Sequence, residues 1–173
     1  THLYVLDVKT KKIEQLTSGI YSEGQPSWSP DGSKITFVSN RTEDPDRNDN
    51  SDIFIIEAKK GAEIKQLTTW KGQDRNPIWS KDGKYIAYLR STSDETFINY
   101  DQNILAIMNL DGSNHKLLTA QLDRPVSNPK WTKDSENIYF LVDDDRQSYI
   151  SKIDLKTNKV EQVIGGDRSF SGL

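Results

Sequence analysis

Two histidines, several acid-rich loops and three of its Asp-Arg pairs are the residues of this sequence best equipped for chemistry. His2 and His115 stand far apart, each beside an alternating apolar run. A general base or a zinc ligand needs partners at short range, so an exposed strand-edge histidine is the plainer reading of each. A hydrolase nucleophile elbow requires Gly-x-Ser-x-Gly on a strand-to-helix turn. The nearest string, residues 165–173, lacks that spacing. Asp44, Asp46 and Asn48 alternate like the first oxygen ligands of a calcium loop, but Asp49 replaces its glycine and Ile55 its closing glutamate. A solvated loop with Asx turns fits those residues better, and Asp143-Asp144-Asp145-Arg146 reads as a short turn of mutually repelling carboxylates. Asn40-Arg41-Thr42 matches a glycosylation acceptor. In the segments joining one unit to the next, Asp-Arg recurs at 74–75, 123–124 and 167–168. Arg75, Arg124 and Arg168 would give a ring of guanidinium groups able to contact a carboxylate or an acidic partner, provided the fold gathers them. The simpler alternative is that each pairs with a nearby Asp and fixes its own loop.

Whether those arginines meet depends on the elements that carry them, and these repeat. Aligning on Trp28, Trp79 and Trp131 brings Pro26, Pro77 and Pro129 into step, then Asp31, Asp82 and Asp134, then Ile35, Ile86 and Ile138. An Asp-Gly or Asp-Ser turn follows each Trp, then an apolar strand, then a second strand at 52–58, 103–110 or 148–155, then a closing strand at 63–69, 115–120 or 159–165. Residues 2–17 carry only the second half of this unit. No segment sustains helical periodicity. A four-stranded unit of this size cannot bury both faces alone, so units must stack, and stacking about an axis makes a β-propeller. The expectation is an all-β, partial propeller of four-stranded antiparallel blades: a half blade at 2–17, blades at 21–68, 72–119 and 123–164, and a stub at 167–173. The three Trp then pack between blades, in preference to forming a stacking platform for sugars or bases.

The 173 residues suffice for one domain with a real core. Net charge is −3 with no basic block, which argues against nucleic acid as a partner, and no apolar run approaches a membrane span. There is no cysteine, hence no disulfide or thiolate chemistry. No cofactor is expected, and the compartment, bacterial cytoplasm or periplasm, stays open.

The repeat Trp28-Ser-Pro-Asp-Gly…Ile35-Thr-Phe…Asp52-Ile-Phe-Ile-Ile…Gln66-Leu-Thr resembles the propeller repeat shared by TolB and the prolyl oligopeptidase family. Residues 39–68 and 122–155 are similar, more narrowly, to the N-terminal propeller of acylaminoacyl-peptidase-like and dipeptidyl-peptidase-like bacterial members. The resemblance implies a non-catalytic propeller that gates a separate α/β-hydrolase serine peptidase domain and helps position short peptides for it. No position of the Ser-Asp-His triad falls in this segment. The alternative is a TolB-like interaction scaffold with no enzyme attached.

Because the sequence opens directly in a strand, it reads as a cut edge inside a longer protein. Leu3 to Leu6 is expected to lack a partner strand, and Ile138, Phe140, Ile150 and Ile153 to lose cover at the other end, so that the isolated fragment self-associates.

Overall fold

The computed structural model describes residues 1–93, 101–166, 170, 172 and 173. Among these are fourteen strands, two short 3-10 turns and no α-helix. Strands β1 (Tyr4–Leu6) and β2 (Ile13–Gln15) form a two-stranded sheet. Three four-stranded antiparallel meanders follow. The first blade is β3 (Glu23–Trp28), β4 (Lys34–Ser39), β5 (Asp52–Glu57) and β6 (Lys65–Gln66). The second is β7 (Asp74–Trp79), β8 (Tyr85–Ser91), β9 (Asn103–Asn109) and β10 (Lys116–Leu117). The third is β11 (Val126–Trp131), β12 (Asn137–Asp144), β13 (Gln147–Asp154) and β14 (Val160–Ile164).

Each blade interface is a dry layer made by the alternation of its strands. Leu3 and Leu16 meet Ile35, Phe37, Phe54 and Ile56 at the first. Ile53 and Leu67 meet Ile86, Tyr88 and Met108 at the second. Leu89, Leu105 and Leu118 meet Ile138, Phe140 and Ile153 at the third. A fully buried apolar side chain of this size is worth about 1.5–3 kcal/mol, so these layers set the blade order.

The turn after each Trp is built from one hydrogen-bond pattern. The Asp31, Asp82 and Asp134 carboxylates accept from the hydroxyls of Ser29, Ser80 and Thr132 and from the backbone N–H of Ser33, Lys84 and Glu136. Those bonds favour the charged form, and at Asp31, led by Ser29, they lower the pKa to about 2. The next residue is left-handed: Gly32 and Gly83 at φ 71°, and Ser135 at 61°. Ser135 is useful in that place, since its Oγ accepts from the Asp82 N–H of the neighbouring blade.

Two expectations need correction. Trp79 and Trp131 are buried, but Trp28 is 48% exposed. Trp79 Nε1 donates to Ser27 O and Thr36 Oγ1, both 3.1 Å, and Trp131 Nε1 donates to Ile78 O at 3.2 Å. Each indole thus needs the first strand of the preceding sheet, and the sheet before Trp28 has only β1 and β2. At the other end Ile138, Phe140 and Ile153 are fully buried and Ile150 is half-buried. Parity explains it: Ile138 pairs with Ile153 and Phe140 with Ser151, facing the second blade, whereas Leu141 and Ile150 face away. Among the described residues, strand β1 pairs with β2 alone.

The closing strands β6 and β10 have two residues each, fewer than the sequence pattern spans. A hydroxyl replaces the ladder there. Leu3, Ile53 and Leu105 donate their N–H to Oγ1 of Thr17, Thr68 and Thr119 at 2.8–2.9 Å. This is the physical content of the recurring Leu-Thr.

Candidate functional site

Every blade starts β-strand one, ends strand two, starts strand three and ends strand four at the same end of the sheet. The buried charges gather at that end. In the first blade Glu23 is buried and accepts from Arg41 at 2.8 Å, from the Thr17 hydroxyl at 2.8 Å and contacts His2 Nδ1 at 3.1 Å. In the second, Asp74 is fully buried and takes a bidentate pair from Arg90, Nε to Oδ1 at 2.8 Å and Nη2 to Oδ2 at 2.9 Å. Arg90 lies over the Trp70 and Tyr88 rings at 5.5 and 5.6 Å, and Arg41 over Phe54 at 4.9 Å. Burial opposes the Arg90 charge, but the hydrogen bonds and charge of Asp74 offset it and the pKa is raised. Asp52, also buried, accepts from Thr68 and Gln66. Burial, aided by the charge of Asp74, pushes its pKa up to about 6.

The connection between the first two blades is tight. Asn50 Nδ2 donates to Trp70 O at 2.7 Å, and a Cβ at Gly72 would collide with Ser93 O and Ser91 Oγ. Only glycine fits so close an approach.

The arginines singled out by sequence stand at this end. Arg75, the second residue of β7, donates from Nη2 to Asn103 Oδ1 at 3.0 Å and lies 3.7 Å from Asp101. Its neighbour Asp74 is committed to Arg90. Arg75 Nε is buried without a partner. Arg124 donates from Nε to Asp144 Oδ1 at 2.6 Å and from Nη1 to Asp123 O. Arg168 lies outside the described residues, as does most of the 167–173 stub. Arg75 and Arg124 are therefore each tied to an acid of their own blade.

The other candidates are also locally engaged. His115 Nδ1 meets the Tyr88 hydroxyl at 2.9 Å, and His2 meets Glu23, which also accepts from Thr17 and Arg41. A nucleophilic set needs the hydroxyl on the imidazole; here the Thr17 hydroxyl bonds the carboxylate. Asn48 Oδ1 accepts from the Asn50 N–H and from Asn40 Nδ2, which makes 40–50 a self-bonded loop. Asn40, whose amide is engaged there, is held in that loop. Asp145 and Arg146 form the tip of the β12–β13 hairpin at φ 39° and 69°. Among the described residues no group of three or more His, Asp or Glu could hold a metal ion.

One feature was missed by sequence reading. Gln25, Asn76 and Asn128 share left-handed φ values of 50°, 52° and 49°, each just before a proline of the repeat. Each marks a bulge, with the register breaking between Gly24 and Ser27, Arg75 and Ile78, and Ser127 and Lys130. A non-glycine residue costs about 1 kcal/mol or more in this region, and a pre-proline residue is normally extended. The signal lay in the sequence as a carboxamide before each aligned proline. The three bulges line one cleft of about 380 Å³ between the first strands, together with Ile78 and Lys130. Gln25 Oε1 accepts from the Asn76 N–H at 2.7 Å, joining the first two blades. This end of the molecule holds charge pairs and free amide groups; it is equipped to bind and position, and its described residues include no assembled bond-breaking set.

No family model matches the chain. It is 29% identical over 149 residues to dipeptidyl-peptidase 5 of Porphyromonas gingivalis, covering 84% of this chain and 21% of that protein. The chain thus spans about a fifth of the length of this curated relative. In fold it is similar to a puromycin-hydrolysing peptidase of Mycobacterium tuberculosis, with a TM-score of 0.73 and 17% identity over 99% of this chain and 28% of that one. It is also similar in fold to TolB from Acinetobacter baumannii, with a TM-score of 0.68 and 18% identity over 97% of this chain and 38% of that one. The chain has the fold of β-propeller blades, and the relatives it matches in sequence include proteins named as peptidases.

Proposed function

We propose that this chain is the non-catalytic propeller segment of a serine peptidase, which gates and helps position short peptides for a separate α/β-hydrolase domain. The observation that carries the reading is the sequence match to dipeptidyl-peptidase 5, which covers most of this chain and only a fifth of that protein. The local engagement of His2 and His115 supports it, since His2 meets a carboxylate and the one hydroxyl on His115 belongs to the fully buried Tyr88. Within this reading Arg75 and Arg124, exchanging the acids of their own blades, are contacts for the carboxylate of a substrate or partner, and Arg168 is a third.

The test is hydrolysis of dipeptidyl and acyl-amino-acid chromogenic substrates by the full-length protein and by this chain alone. Full-length turnover blocked by a serine-directed inhibitor, with none from the chain, is the expected result. A full-length protein inert towards every such peptide would instead favour a scaffold like TolB, whose fold matches as well. The isolated chain is further proposed to self-associate through its first sheet, where Tyr4, Leu6 and Ile13 are exposed. A constant mass of one 19.8 kDa chain across a light-scattering dilution series would overturn that.

A further inference from the structure

We propose that the cleft between the first strands is a binding site for the main chain of an extended peptide, held by the carboxamides of Asn76 and Asn128. The inference rests on the peptide-handling reading above and adds to it the place and the chemistry of contact.

Three observations carry it. First, the side chains are presented by backbone that glycine would adopt without strain. Repeating a carboxamide at φ near 50° in all three blades places the same group at the same point of each first strand. Second, the three groups are not equivalent in use. Gln25, one methylene longer, reaches across to the Asn76 N–H at 2.7 Å. The carboxamides of Asn76 and Asn128 make no hydrogen bond to the described residues, yet both are exposed on the cleft. Third, the surroundings choose the ligand. Each carboxamide offers one acceptor and two donors, the complement of a peptide C=O and N–H. The walls are rigid prolines, Pro26, Pro77 and Pro129, with Ile78; Lys130 is the one charged lining residue. A wall of this kind suits neutral main-chain amides and apolar side chains and gives a polyanion little to hold. The bulges also break the β-ladder at these positions, so the first strands present irregular backbone to the cleft and no regular edge for strand addition.

The experiment is an NMR titration of the full chain with N-acetyl-tetra-alanine-amide, a neutral extended peptide. Saturable shifts of the Asn76 and Asn128 side-chain amide signals are expected. The test variant is the pair Asn76→Gly with Asn128→Gly, which removes both carboxamides while glycine keeps the left-handed backbone. It should melt no lower than the parent and bind the peptide at least tenfold more weakly. Equal affinity in that variant overturns the site, as does the absence of saturable shifts at millimolar peptide. Tighter binding of a neutral oligosaccharide at the same two signals overturns the choice of ligand. Failure here leaves full-length peptidase activity untouched, so it is distinguishable from failure of the proposed function.

Discussion

The second and third blades are written in the same repeat and solve the start of their first strand in opposite ways. Five residues before Trp79 stands Asp74, paired across the ladder with Arg90; five before Trp131 stands Val126, paired with Val142. All of Asp74, Val126 and Val142 are almost fully buried. One position in one architecture therefore accepts a buried ion pair and an apolar pair. The fold does not demand the charges, since the third blade closes the same layer with two valines. What the ion pair has in addition is its setting: Trp70 and Tyr88 cover the guanidinium, and Asp52 lies near enough to feel Asp74. A buried pair gains in attraction about what it loses in hydration, so it is weak evidence for stability and better evidence for a constraint on geometry. Here it fixes the start of β7, from which Asn76 reaches the cleft.

Breaking one half of the pair is the most severe way to expose that difference. Arg90→Met removes the cation and leaves Asp74 ionisable, fully buried and without its partner. The expected loss is about 3–5 kcal/mol in urea or guanidinium melts. Val142→Met, the same introduced side chain at the matching point of the third blade, should cost no more than about 1–3 kcal/mol, as an overpacking change. If the two substitutions cost the same, the ion pair has no energetic character of its own and the comparison fails.

The blades themselves were legible because their signal is redundant. Trp79, Asp82 and Ile86 recur with their counterparts at fixed spacing, and period-2 alternation identifies the strands between. The burial of Trp28 was not legible, since a Trp that packs on the preceding sheet reads identically whether that sheet has four strands or two. Ile150 failed for a different reason. Apolar residues on both faces of β13 leave its parity open, and only the register with β12 decides which face is inward. The roles of Asp74 and Arg90 were hidden by adjacency: Asp74 sits beside Arg75 in sequence, but neighbours on a strand point to opposite faces, and the true partner lies sixteen residues on. The carboxamide bulges were visible as Gln-Pro and Asn-Pro, but reading them required expecting left-handed backbone just where proline usually forbids a helix and favours extension.

A smaller effect separates the first blade from the other two through pH. Asp52, Ile104 and Tyr149 hold the same place in the three third strands, opposite Ser39, Arg90 and Val142. Only Asp52 carries a carboxyl among the three. Burial raises its pKa from 3.8 to about 6, so the folded chain holds a proton that the unfolded chain has already released. The stability this contributes is complete below about pH 4 and is lost as pH rises through 6, with an upper size of roughly 1–3 kcal/mol from the linkage relation. Asp52→Asn removes the titrating carboxyl at nearly constant shape and should flatten that fall between pH 4 and 7. A variant whose stability falls as steeply as the parent's over this range would show that Asp52 is not the group responsible.

The smallest expected change comes from converting the second blade into the third outright. Asp74→Val with Arg90→Val removes both charges together, so no buried ion is left alone. Double replacement of a buried pair by apolar residues is commonly neutral or stabilising, whereas truncating either partner is costly. Two terms oppose a gain here. Valine is shorter than arginine, and the space beneath Trp70 and Tyr88 loses the guanidinium that both rings face. One term favours it: no carboxylate then presses on Asp52 from Asp74, although Arg90, which eases Asp52 towards its charged form, goes as well. These effects are of similar size and opposite sign, so the double variant should melt within about 1 kcal/mol of the parent. The informative quantity is the coupling from the full cycle, the double change against Asp74→Val and Arg90→Val singly. A coupling energy of several kcal/mol, with the double variant near the parent, means that the two blades are alternative solutions of one packing problem. Additive losses would mean that the second blade depends on each charge separately, and that the valines of the third work only in the company of their own neighbours.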